Sequence, residues 1–139
     1  DGWHGSTSQI KVMPSEFVAG PDVGRAKMAV RIKEVSNTLG AVVDVAIGGK
    51  AFAFVAIPDG YKAVSVKVSL SSSVSNGAKV SHYSIVDGAI TNSQTISTNT
   101  TVNLTSQLTS SNTNALAIQV TPGSTSTLIH GATVAIQSV

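Results

Sequence analysis

A chain of 139 residues is long enough for one domain with a single core. Hydrophobic residues make up 42% and aromatics only 4%, so that core has to be Val, Ile, Ala and Leu, while charged residues stop at 12% and Ser and Thr supply roughly a quarter. There is no cysteine, which excludes a disulfide framework and a thiolate metal site, and a net charge of +2 without aromatic platforms among the basic groups argues against a nucleic-acid module.

Residues 1–8, DGWHGSTS, read as an irregular lead-in carrying the only tryptophan, Trp3. Ile10 to Val12 starts a short strand that Pro14 interrupts, as suits a sheet edge. Phe17 and Val18 form an apolar patch ahead of the loop at residues 20–24. From Lys27 to Val35, Met28, Val30 and Ile32 alternate with Lys27, Ala29, Arg31 and Lys33, which favours a strand over a helix. A polar turn at residues 36–40 leads to a strand from Ala41 to Ile47, and Gly48-Gly49 is expected to close a hairpin into the next strand.

The stretch from Ala51 to Val80 organises the rest. Its first arm, AFAFVAI, is apolar on both faces, as expected of a central strand, and Pro58-Asp59-Gly60 marks a turn. In the second arm Val64, Val66, Val68 and Leu70 alternate with Ala63, Ser65, Lys67 and Ser69, the period of a strand with one buried face. Asn76-Gly77 is a hairpin signal, followed by a strand over Lys79 to Val86. Residues 89–105 are low in complexity, with Ile96, Val102 and Leu104 as marks of short strands. Leu116, Ile118 and Val120 alternate up to Pro122-Gly123, and Ile129 to Val139 reads as a closing strand. Eight or nine strands punctuated by Gly, Asn and Pro turns signal an all-β fold, an antiparallel sandwich of jelly-roll type. Residues 1–20 are the lead-in with the first edge strand, and residues 21–139 the body of a single domain.

No constellation for chemistry stands out. His4, His82 and His130 lack a second ligand-type residue at metal spacing and read as hydrogen-bonded or surface histidines. Asp59 and Asp87 precede glycines in turns, and Asp44 alternates out between valines. GxSxG, phosphate-loop and dinucleotide fingerprints are absent, and the acids are too few and too dispersed for a glycosidase pair or a calcium loop. The expectation is a non-enzyme with no catalytic residue, cofactor or metal. No apolar run approaches the ~18 residues of a membrane span, so no membrane insertion is expected. With no methionine before Asp1, the chain is expected to be processed or cut from something longer.

Three segments are familiar together: WHGST with IKVMPSEFV (Trp3 to Val18), FAFVAIPDGYKA (Phe52 to Ala63) and IHGATVAI (Ile129 to Ile136). Their order resembles small β domains on the virion structural proteins of tailed phages, notably marine and cyanobacterial ones. That resemblance implies a capsid decoration, fibre or tail-appendage domain on the particle's exterior, commonly a homotrimer, in contact with other virion proteins. Trp3, Phe17 and Val18 are then the candidate interface residues. Tyr61 and Tyr83 are candidates for surface binding, for instance of a host-surface glycan at a fibre tip.

Overall fold

Alternation of small apolar and polar residues writes strands along most of the chain. The structure, a computed structural model, describes residues 7–20, 29–44 and 49–139. Within them are eleven strands: β1 Thr7–Val12, β2 Val18–Ala19, β3 Val30–Val35, β4 Thr38–Val43, β5 Ala51–Val55, β6 Tyr61–Leu70, β7 Ala78–Ser84, β8 Ile90–Ile96, β9 Val102–Thr109, β10 Asn114–Val120 and β11 Ile129–Ser138. A short 3-10 helix, Pro14–Glu16, follows β1, where proline removes the donor a ladder would need.

Two antiparallel sheets result. Sheet A runs β3-β4-β11-β6-β9, with β1 also paired to β11, and sheet B runs β2-β5-β10-β7-β8. The sandwich is thus all-β, with more strands than the eight or nine expected. The strand expected from Ile10 starts earlier, at Thr7: β1 pairs with β11 over six registered positions, from Thr7 opposite Gln137 to Val12 opposite Ala132.

Two turns expected to close hairpins, at Gly48-Gly49 and Asn76-Gly77, do something else, and the turn at Pro58–Gly60 behaves like them. β4 lies in sheet A, β5 in B, β6 in A and β7 in B. The Gly48-Gly49, Pro58–Gly60 and Asn76-Gly77 connections therefore pass from one sheet to the other. Gly48 itself lies outside the described residues. Gly60, with φ of +83°, and Asn76, with φ of +56°, reverse the chain as their residue types allow. Residue type fixes the reversal but not which sheet receives the next strand. Between consecutive strands, true hairpins join β3 to β4 and β7 to β8. The first turns at Ser36-Asn37 with φ of 49° and 65°, the paired positive values of a two-residue hairpin, so Thr38 to Gly40 belong to a strand rather than to the turn.

One phase error has a clear cause. Val64 was expected on the buried face of β6, with Ala63 outside. A β-bulge between Ala63 and Ser65 shifts the register, so Ala63 faces the core together with Val66, Val68 and Leu70, and Val64 does not join them. Beside them in sheet A are Val134 and Ile136 of β11, and facing them from sheet B are Leu116, Ile118 and Val120 of β10. Each such fully buried aliphatic side chain contributes about 1.5–3 kcal/mol through the water it sheds.

The hydroxyl- and amide-rich stretch between β7 and β10 is ordered and acts as a fastener. Gln94 of β8 accepts from the Thr105 amide at 2.8 Å and donates to the Asn103 carbonyl at 3.1 Å, tying the edges of the two sheets together. Thr98 Oγ1 accepts from the Val74 amide at 2.9 Å, and Ser97 Oγ from the Asn76 amide at 3.3 Å.

Candidate functional site

The alternation of β5 turns Ala51, Ala53 and Val55 into the core and Phe52 and Phe54 out of sheet B. Register then gathers a patch. Val18 lies opposite Phe52, Ala117 opposite Phe54, Ala115 opposite Tyr83, and Ile90 opposite Tyr83 on its other side. Ala115 and Ala117 also point outward, because Leu116 and Ile118 between and beside them fill the core, yet both are buried. The small residues of β10 leave room for rings from both flanking strands.

Those rings form a corner. Phe52 and Phe54 are nearly parallel, with centroids 5.9 Å apart and 15° between planes. Tyr83 leans against Phe54 at 4.9 Å and 59°. Phe54 remains 53% exposed, with Val18 at 57% and Ile90 at 47%. They surround a depression of about 300 Å³. β5 has a neighbour on each side, as expected of a central strand, but its apolar outer face stands open.

A second depression of about 360 Å³, which Tyr83 also borders, opens on the core-facing side of sheet B, where His82, Thr91 and Asn114 point, and is lined as well by Asp87 and by Leu108 of sheet A. His82 reaches Ser106 of sheet A, its Nε2 at 3.0 Å from the carbonyl oxygen. A carbonyl can only accept, so Nε2 carries the proton and Nδ1 is left as an acceptor in the neutral ring. Asp87 Oδ1 accepts from the Ala89 amide at 3.1 Å, the turn-bracing expected of an acid before glycine. Asn114 accepts from the Ser111 amide and donates to the Thr109 carbonyl, so its amide is committed to its own loop.

Among the described residues, no three His, Cys, Asp or Glu side chains gather to hold a metal ion. His82 and His130 line different depressions. Asp44 faces water as expected and pairs with Arg31, Oδ1 to Nε at 3.0 Å. On the outer face of sheet A, Lys11 and Lys67 stand on either side of Thr133 in register. Among the described residues, no helix is long and apolar enough to cross a membrane.

The candidates named from sequence fare differently. Trp3 lies outside the described residues. Phe17, named as an interface anchor, is 3% exposed and sits in the core cluster, so it anchors the fold instead. Val18 is exposed beside Phe52. Tyr61 opens β6 half-buried against the core, whereas Tyr83 borders both depressions on sheet B. Phe52, Phe54 and Ile90 were missed. The signal was present in AFAFV, where every large ring falls on one face and every small side chain on the other.

A further apolar set lies on the β3–β4 hairpin. Ile32 pairs with Ala41, and Leu39 is two residues from Ala41, which belongs to the core cluster. Ile32 and Leu39 therefore occupy core-side positions, yet they are 50% and 61% exposed. No family model matches the chain, and no curated protein matches it.

Proposed function

We propose that the chain is a non-enzymatic structural module on the exterior of a tailed-phage particle, a capsid decoration, fibre or tail-appendage domain, acting as a homotrimer in contact with other virion proteins. The carrying observation is the hairpin. The apolar row that starts at the buried Val43 and Ala41 runs on to Leu39 and Ile32, past the point where the chain's own second sheet covers it. Uncovered apolar surface at a sheet margin is stabilised by association, and closed symmetry covers it on every copy.

Two further observations support the reading. The order of the three sequence segments resembles phage virion domains. The strand order β4-β11-β6-β9 against β5-β10-β7-β8, with consecutive strands mostly alternating between sheets, fits a jelly roll, an architecture that serves capsid and lectin domains alike. A virion-surface location follows from the same reading.

A second reading, a receptor- or glycan-binding module at a fibre tip, is favoured by the exposed aromatic corner of Phe54 and Tyr83 on the outer face of sheet B. The primary reading is tested by light scattering on the purified chain. It expects a stable particle of three 14.1 kDa subunits, and a monomer at high micromolar concentration contradicts it.

A further inference from the structure

We infer that the outer face of sheet A binds an acidic saccharide, its anionic group lying between Lys11 and Lys67 and its ring in the hollow beside them. The site lies on the other sheet from the aromatic corner and depends neither on that corner nor on trimer formation.

Register builds the site. Lys11 of β1 lies opposite Thr133 of β11, and Thr133 opposite Lys67 of β6. Their chain neighbours Val12, Ala132, Val134, Val66 and Val68 fill the core, so all three side chains point outward. With adjacent strands about 4.8 Å apart, the two lysine Cα atoms stand roughly 10 Å from each other, and their long stems can bring both ammonium groups to one anion. Two residues along, a bulge interrupts β11. Ile129 is opposite Leu70 and Gly131 opposite Ser69, which leaves His130 as the extra residue. Ile129 stays in the core, whereas His130 is exposed. Lys11, Met13, Ser69, His130 and Thr133 line a hollow of about 230 Å³.

Ligand chemistry follows from the lining. Among the described residues no Asp or Glu lines the hollow, and the Glu16 carboxylate, three residues from Met13, is turned to the Met13 amide at 2.7 Å. A cation therefore finds no carboxylate ligand there. The lysines supply counter-charge for a carboxylate or a sulfate. Ser69, Thr133 and His130 can each donate or accept, as ring hydroxyls require, and the Met13 side chain, 52% exposed, offers a pliable apolar surface to the ring's C–H groups. Two lysines without an aromatic ring in the hollow give nucleic acid neither a phosphate track nor a stacking platform. A carboxylate of a partner protein would engage the ammonium groups and leave the hydroxyls and imidazole to water. A hollow of about 230 Å³ suits one sugar ring.

The test is a printed array of uronic-acid, sialylated, sulfated and neutral oligosaccharides, followed by titration calorimetry at low salt with the strongest acidic glycan. Acidic glycans are expected to bind and neutral ones not. Exposed ion pairs are individually weak, so Lys11→Ala and Lys67→Ala should each lower the affinity about three- to fivefold, and the double variant about tenfold or more. His130→Ala should lower it about threefold, and Lys79→Ala on sheet B not at all. Lys11, Lys67 and His130 are exposed, so these variants are expected to keep the wild-type urea midpoint. Silence from every acidic glycan, equal binding of neutral ones, or full affinity in the double lysine variant overturns the inference. So does an equal loss on Lys79→Ala, the mark of general attraction to a basic chain. Polyglutamate or inorganic phosphate binding as tightly as the glycan overturns it too, by assigning the site to a protein partner or a free anion. Light scattering separates this site from the assembly: a trimer without acidic-glycan binding loses the site alone, and a monomer with it loses only the trimer.

Discussion

Asn99 holds Leu70 by both ends of its side-chain amide. Its Oδ1 accepts from the Leu70 amide at 3.2 Å and its Nδ2 donates to the Leu70 carbonyl at 2.8 Å, while its own amide bonds the Val68 carbonyl. The side chain thus imitates one more residue of neighbouring strand at the end of β6. The backbone at Asn99 has φ of +63°, a conformation Asn tolerates better than most. Asn99→Ala loses both bonds and is strained at that φ, and is expected to destabilise the fold by about 2–4 kcal/mol. Asn99→Asp keeps the acceptor but sets an oxygen against the Leu70 carbonyl, so it should fall near the alanine variant. Urea unfolding of the three proteins measures this.

Gln94 gives a separate prediction. It satisfies the Thr105 amide and the Asn103 carbonyl, which sit on the margin of sheet A away from β6. Gln94→Ala is expected to lower stability by about 1–2 kcal/mol and to speed hydrogen exchange at the Thr105 amide well above that at Leu116. Equal protection in the wild type and the variant would show that the side chain does not close this margin.

Gly131 has no room for a side chain. Its φ is +137°, and an added Cβ would lie 2.5 Å from the carbonyl oxygen of Val12, in the strand paired with β11. Gly131→Ala should cost about 2–4 kcal/mol and weaken the β1 pairing first. Limited proteolysis reads the second effect as new cleavage within residues 7–12 of the variant.

These fastenings show how much could be read from residue order. The alternation in Val64–Leu70 and Leu116–Val120 yields strands without help from tertiary structure, because a period of two leaves one face apolar. Sheet membership could not be read the same way. Pro58-Asp59-Gly60 and Asn76-Gly77 encode reversals, and a reversal is equally compatible with a hairpin and with a step between sheets. The bulge at β6 inverted Ala63 and Val64 because one extra residue changes phase without changing composition. Residues 89–113 offered only Ile96, Val102 and Leu104 as marks of short strands, since many of their stabilising contacts are amides and hydroxyls reaching across the sandwich, which leave little hydrophobic period. Of the site, Tyr83 was singled out from sequence. Phe54 was not, because an apolar residue in a strand is expected to be covered.

The account depends on the uncovered core-side row of the β3–β4 hairpin being an association surface. Leu39→Asp tests it most directly, since Leu39 is 61% exposed and a carboxylate there stays hydrated in a single subunit. Light scattering on this variant is predicted to give one 14.1 kDa subunit where the wild type gives three, with the urea midpoint of the isolated fold little changed. A Leu39→Asp protein that remains trimeric would contradict it.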